Sequence, residues 1–263
     1  MQFLDFSKQD LITIFNLLKM NIRDRYLGST LGFFWAILQP LLLLGMYAYV
    51  FGFIFKAKLP GAETTFAYSI WMISGYVPYM AFSDALNFSA SSVISGSNLV
   101  KNIVFKSETL PISATLVAGV PFGVGMIFLL VILFIDGNYP TLHIVAIIPV
   151  VILQFIFLIA ISFFISATAV FIRDIVQVLP NLIMLFLFCT PIFYPVESMP
   201  NLIKKITFLN PLYQITRPYR DILLKHQWPD WLGITYLGFI SFILFISGLK
   251  YFRRLKGYFE MKL

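Results

Sequence analysis

Charge is what this sequence has least of. Only 12% of its 263 residues are Asp, Glu, Lys or Arg, against about 25% in an average soluble domain, while 59% are hydrophobic. That shortage excludes a soluble globule, because too few charged side chains remain to cover a wetted surface. A single cysteine, Cys189, excludes an intrachain disulfide. Two histidines, His143 and His226, have no second ligand within helical spacing, so no metal site is expected. There is no HExxH, no paired carboxylates and no glycine-rich loop followed by Lys and Ser/Thr. An enzyme's converging acids, bases and nucleophiles are therefore missing.

What remains is long and apolar. Residues 33–55, 64–83, 109–135, 144–172, 175–196 and 231–249 contain no charged side chain, and these runs are 19 to 29 residues long. About 18 apolar residues suffice to cross a hydrocarbon core about 30 Å thick. The expected fold is an all-α integral membrane protein with six transmembrane helices. No stretch between these runs exceeds 34 residues, which leaves no room for an additional soluble domain. The first 25 residues carry Asp5, Asp10 and Asp24 and no continuous apolar stretch, so a cleavable signal peptide is not expected. Six spans put both termini on one side. That side carries 12 Lys and Arg against 7 on the other, which reads as cytoplasmic termini. The net charge of +7 reflects this orientation and contacts with lipid or partner rather than nucleic-acid binding.

Three segments outside the spans have character. In residues 3–25, Leu4, Leu11, Ile14, Phe15, Leu18 and Ile22 form one stripe opposite Gln9, Asn16, Arg23 and Asp24. This is an amphipathic helix of the cytoplasmic interface, either an anchor or a frame for an entrance. Residues 95–111, between Gly96 and Pro111, form a short helix with a mixed face, suited to a partner's groove or to a tight connection. Residues 197–230 mix Pro200, Pro211, Pro218 and Pro229 with apolar stretches, Tyr213 and Tyr219. Such proline-broken helices fit a lid dipping into the outer leaflet, or an interfacial loop anchored by tyrosines.

Inside the spans the polar signals are few. Asp84 falls where the second span emerges, and a solvated carboxylate is expected there. Ion-coupled transport would need more buried charge, so the energy for any transport must come from elsewhere. Trp35, Tyr47, Tyr49, Trp71, Tyr76 and Tyr79 lie within spans and require partners for their OH or NH groups. Helix packing meets that need, and so does a polar path lined with aromatic faces on which a sugar chain could slide.

Residues 23–40 read Arg-Asp-Arg-Tyr-Leu-Gly-Ser-Thr-Leu-Gly-Phe-Phe-Trp-Ala-Ile-Leu-Gln-Pro. With Arg25-Tyr26, Gly28-Ser29, Leu31-Gly32, Trp35 and Pro40, this stretch resembles the signature of type-2 ATP-binding-cassette exporter permeases. The similarity is to the branch that exports lipid-linked polysaccharides such as O antigens, with teichoic acid and capsule exporters as relatives. Phe171-Ile172-Arg173-Asp174, Thr190 to Pro195, and Asn210 through Arg220 agree with it in register. The resemblance implies a permease of the bacterial inner membrane, with two copies around one channel and two copies of a separate ATPase below. No cofactor is expected on this chain, since ATP and Mg would bind the partner. It implies that 95–111 is the coupling helix, with Asn98, Leu99, Lys101, Asn102, Phe105 and Lys106 as ATPase contacts. Arg173 and Asp174 become a second contact or a local ion pair. Residues 1–32 become a cytoplasmic gate helix and 197–230 an outer gate of re-entrant helices, with Pro195, Pro211, Tyr213 and Tyr219. Arg23, Arg25 and Tyr26 are candidates to meet a lipid pyrophosphate, though the two arginines also serve the positive-inside signal alone. Two alternatives remain: a type-2 exporter of a drug, ion or small lipid, and a membrane-embedded glycosyl or acyl transferase, which would need a catalytic cluster that the residues do not supply.

Overall fold

A computed structural model of the protein describes residues 7–26, 31–59, 64–102 and 105–263, and for Asn102 the backbone alone. Gly28, Ser29 and the remainder of 1–6 and 27–30 lie outside the described residues. The described chain is helical throughout, without strands. Its α-helices are α1 (Lys8–Tyr26), α2 (Phe34–Tyr47), α3 (Thr65–Ser95), α4 (Ser97–Asn102), α5 (Thr109–Val117), α6 (Gly119–Ile135), α7 (Ile147–Phe171), α8 (Asp174–Cys189), α9 (Asn201–Leu209), α10 (Pro211–Leu223), α11 (Trp231–Lys256) and α12 (Phe259–Lys262). A π-helical stretch, Ala48–Ile54, prolongs α2.

Four helical stretches are long and apolar enough to cross a membrane: Phe34–Ile54, Thr109–Ile135, Leu142–Phe171 and Trp231–Lys256. The other two expected spans differ for physical reasons. Helix α3 has 31 residues, about 46 Å at 1.5 Å per residue, but its many Ser and Tyr residues dilute its hydropathy. Helix α8 is strongly apolar but has only 16 residues, because Pro191 and Pro195 interrupt the run that continues to Val196. The expected end of the second span near residue 83 is also corrected. Helix α3 runs on to Ser95, so Asp84 sits inside it, where it forms an ion pair with Arg25 at 3.1 Å instead of facing solvent.

Helix α3 is the axis of the molecule and packs against α5, α6, α7, α8 and α10. Small residues allow this close approach: Ser69, Ser74, Gly75, Ala81, Ala85, Ser89, Ala90 and Ser92 are all buried. Its hydroxyls bond back to their own helix, Ser74 to the Trp71 carbonyl at 2.7 Å and Ser92 to that of Ser89 at 2.7 Å. One side chain links three helices. Gln154 of α7, fully buried, donates to the Pro78 carbonyl of α3 at 3.1 Å and accepts from the Tyr219 hydroxyl of α10 at 2.6 Å. Glycine permits one further approach, since a Cβ on Gly248 of α11 would lie 2.7 Å from the Ala160 carbonyl of α7.

The ends of helices carry the turn chemistry. Ser7 and Asp10 form a reciprocal capping box at the start of α1: the Ser7 backbone N–H donates to Asp10 Oδ2 at 2.7 Å, and the Asp10 N–H donates to Ser7 Oγ at 3.3 Å. Asn210 caps α10, with Pro211 at its first position, and Asp230 caps α11. Pro111 does not terminate the connection after α4 but lies in the first turn of α5, where its missing N–H costs nothing. A second apolar cluster at the other end of the fold joins Val93, Phe163, Phe252 and Phe259, so α12 closes that end.

Replacing Gln154 with Leu leaves the Tyr219 hydroxyl and the Pro78 carbonyl unpaired in a fully buried site. The expected cost is about 1–3 kcal/mol. A lowered thermal transition of the detergent-purified chain checks this, and an unchanged transition contradicts the bridge.

Candidate functional site

Two constellations stand at opposite ends of α3. At its Ser95 end, residues 106–108 are clamped from both sides. Lys106 Nζ reaches Asp10 Oδ2 of α1 at 2.7 Å. Glu108, 1% exposed, accepts from Arg253 Nε and Lys256 Nζ of α11, each at 3.0 Å. Asp10 is held below the usual carboxylate range, first by the Lys106 ammonium and then by the Ser7 N–H. Burial alone would push the Glu108 carboxyl up, but its own backbone N–H, Lys256 and Arg253 outweigh this and bring it below its ordinary value. Beside the clamp, α4 presents Asn98 and Lys101 to solvent and keeps Leu99 partly covered. Phe105 is half-buried. Of the six coupling candidates, Asn98 and Lys101 are exposed, Leu99, Phe105 and Lys106 are partly covered, and Lys106 is tied to α1.

A cavity of about 360 Å³ opens beside this segment, lined by Asn21, Asp24, Arg25, Ser91, Ser95 and Leu99 among others. Arg25 lies over the Phe88 ring at 4.3 Å and the Tyr26 ring at 5.3 Å, and Tyr26 is buried. One Arg25 nitrogen, Nη1, has no hydrogen-bond partner. Arg23 is exposed and does not line this cavity. Arg173 and Asp174 are both exposed and do not pair with each other, so the local ion pair is not formed.

At the Thr65 end of α3, aromatic rings from α2 and its π-helical extension, α3 and the segment after α8 converge. The Tyr47 ring lies 4.8 Å from Tyr76 and 5.3 Å from Phe193, and Phe51 stacks on Phe193 at 4.7 Å. Tyr79 is buried and its hydroxyl donates to the Ile183 carbonyl, while Tyr68 donates to that of Phe193 at 2.6 Å. Tyr76 and Tyr79 therefore fasten α3 to its neighbours, whereas Trp35 and Tyr49 are exposed. Next to the cluster, Arg220 of α10 is buried with its guanidinium 3.7 Å from the Trp71 ring centroid. Its Nη1 donates to the Pro191 carbonyl at 2.8 Å and its Nη2 to the Ile192 carbonyl at 3.1 Å. The room for it comes from Gly75, where a Cβ would lie 2.3 Å from Nη2. The outer-gate candidates border this arrangement: Tyr213 and Tyr219 are buried in α10, Pro211 starts that helix, and Pro195 precedes a short 3-10 turn. Arg217 ties α10 to α11 through Asp230 at 2.7 Å. The two histidines also meet here: Thr141 Oγ1 is 2.9 Å from His143 Nδ1 and 3.5 Å from His226 Nδ1, and no group of three metal-ligating side chains exists among the described residues.

Sequence reasoning missed Asp10, Glu108, Arg253 and Lys256 as a clamp, and Gln154 as a bridge. The signal was present for Glu108, a lone acid directly before the uncharged run 109–135, with basic residues concentrated after the last run.

A helical bundle with four stretches long and apolar enough to cross a membrane, among the described residues, is the architecture of an integral membrane protein. Residues 13–224 match the family model for ABC-2 type transporters, and the chain belongs to that family. Among its relatives, it is 29% identical over 237 residues to the O-antigen export system permease protein RfbA of Klebsiella pneumoniae, covering 90% of this chain and 89% of the relative. The protein of that name from Myxococcus xanthus is 27% identical over 233 residues, covering 88% and 87%. The polysialic acid transport protein KpsM of Escherichia coli is 23% identical over 249 residues, covering 92% and 93%.

Two predictions follow from the geometry. Gly75→Ala forces the Arg220 guanidinium off its carbonyls, with an expected destabilisation of about 1–3 kcal/mol in thermal melts; combined with Arg220→Ala the penalty should be less than additive. At the Ser95 end of α3, the carboxyls of Asp10 and Glu108 both have folded pKa values below their unfolded ones. Their contribution is present above about pH 4.5 and is lost as pH falls through the lowered folded values. Hydrogen exchange at 106–110 should therefore be flat from pH 7 to 5, after correction for intrinsic rates, and rise below about pH 4. A rise that begins near pH 6 contradicts the clamp.

Proposed function

We propose that this chain is the transmembrane half of an ATP-driven exporter that moves a lipid-linked polysaccharide of O-antigen type from the cytoplasmic to the outer side of the bacterial inner membrane. The observation that carries this reading is the near full-length similarity to two O-antigen export permeases, within a family matched over most of the chain. The absence of any nucleotide-binding loop from the sequence supports ATP hydrolysis on a separate ATPase. In this reading α3 and α8 join the four apolar stretches to make six spans, both termini are cytoplasmic, and α9 and α10 form the re-entrant outer gate. Two copies of the chain enclose the channel and two ATPases dock below, carrying the ATP and Mg. The exposed apolar faces of α2 and α8, with Leu42, Met46, Leu182, Leu185 and Phe186, suit lipid or the second copy.

Mechanistically, ATPase closure presses on α4. The Lys106 and Glu108 clamps carry that displacement to α1 and α11 together, so the amphipathic helix and the last span move with the coupling segment. The lipid pyrophosphate meets Arg25 and the serine-lined cavity beside it, and Arg23 adds positive potential at the surface. Aromatic faces at the outer half let the glycan advance without trapping it.

Lys101→Glu combined with Phe105→Asp should reduce ATPase co-purification by about tenfold or more while the chain remains inserted; full retention contradicts the coupling assignment. Arg25→Gln paired with Asp84→Asn separates two roles. The pair removes the ion bridge without leaving an unpaired carboxylate. Loss of surface polysaccharide in this double variant supports head-group contact, and normal export assigns Arg25 to the ion pair alone.

A further inference from the structure

We propose that the outer end of this chain carries a saccharide-binding subsite, distinct from the aromatic cluster, that takes a neutral mono- or disaccharide segment of the glycan. It lies in a cavity of about 410 Å³ bordered by α3, the turn at 136–138, the segment at 195–197 and the end of α10. That volume falls within the range of about 300–1,000 Å³ typical of small-molecule sites. The inference rests on the exporter reading for its biological meaning, but its ligand chemistry is read from the cavity wall.

Arg220 is the fixed part of the wall. It is 5% exposed and lines the cavity, and two of its three nitrogens are committed to the carbonyls of Pro191 and Ile192. Its Nε is closed to solvent and lies beside Gly75, where a Cβ would stand 3.2 Å from it, so it is not offered to a ligand. The two carbonyls hold the guanidinium against the Trp71 ring, so this side of the cavity is in place before a ligand arrives.

The rest of the wall selects the ligand class. Asp136 and Glu197 are exposed carboxylates that enter no ion pair among the described residues. Lys225, already bonded to Asp221 at 2.8 Å, and Arg220 balance their charge. Asn138 adds an amide with both a donor and an acceptor. A phosphate or an acidic sugar would meet two unpaired carboxylates. A neutral sugar hydroxyl donates and accepts at once, and so matches the carboxylates and the amide together. Trp71, Leu59, Ile70 and Leu224 supply the apolar surface that the C–H face of a pyranose covers. The site therefore favours a neutral glycan over a polyanionic one, and gives the polymer a weak foothold where it leaves the membrane.

The test uses the full chain with its ATPase in lipid nanodiscs and saturation-transfer NMR with four probes: maltotriose, chitobiose, a dimer of sialic acid and inorganic pyrophosphate. A neutral probe should bind with millimolar affinity. Asn138→Ala and Glu197→Gln, on the cavity wall and outside the helical core, should each weaken it by about fivefold, the loss expected for one hydrogen bond. Lys205→Ala, on α9 and outside the cavity, should leave it unchanged. Arg220→Lys should abolish binding if it folds, and the wall variants decide the matter if it does not. The proposal is overturned if neither neutral probe binds, if the wall variants bind as well as the parent, or if only pyrophosphate or the sialic acid dimer binds. Restoration of surface glycan by the parent chain in a permease-deficient strain keeps the two readings apart. Restoration without sugar binding sinks the subsite alone, whereas failure to restore sinks the exporter reading whatever binds.

Discussion

The polar groups that α3 buries have to be satisfied inside the protein, and the rest of the structure follows from that constraint. Away from water, an unpaired hydroxyl or carbonyl costs about 1–3 kcal/mol. Helix α3 meets the condition by folding its serine hydroxyls onto its own backbone and by handing the Pro78 carbonyl to Gln154. Once these groups are internal, small residues bring five helices against it, and their positions are no longer independent. Tyr219 and Arg220 are consecutive residues that attach α10 to that axis, one through Gln154 and the other through Trp71 and Gly75.

The Ser95 end of α3 uses charge where the middle uses hydroxyls. Asp10 of α1 binds the Lys106 ammonium, and Glu108 binds two cations of α11. Glu108 is the more consequential of the two. Buried with two cationic partners, it makes a rigid corner out of the entrance to α5 and the end of α11, whereas an exposed pair such as Lys225–Asp221 contributes little. Residues 106–108 are thereby tied to both α1 and α11.

Much of this was legible in the residues. Uncharged runs located the apolar helices, and the 3.6-residue stripe located α1. Legibility ended where partners are distant in sequence. Asp84 reads as an interfacial acid until Arg25, 59 residues away, is brought against it. Gln154 reads as one polar residue in an apolar run until α3 and α10 close on it. Gly75 gives no signal at all, since its meaning lies in a guanidinium that arrives from residue 220. Periodicity reports which face of a helix is apolar, but it does not report which helix will lie on that face.

The central claim is that this chain converts a separate ATPase's work into movement of a lipid-linked glycan, and reconstitution tests it most directly. The chain is purified with its candidate ATPase, placed in liposomes and supplied with ATP, with and without the lipid-linked polysaccharide extracted from the source cells. The account predicts that ATP turnover rises when the glycan is present and that the rise is lost with the Lys101→Glu/Phe105→Asp variant. A turnover indifferent to the glycan, in a complex that forms and hydrolyses ATP, would contradict it.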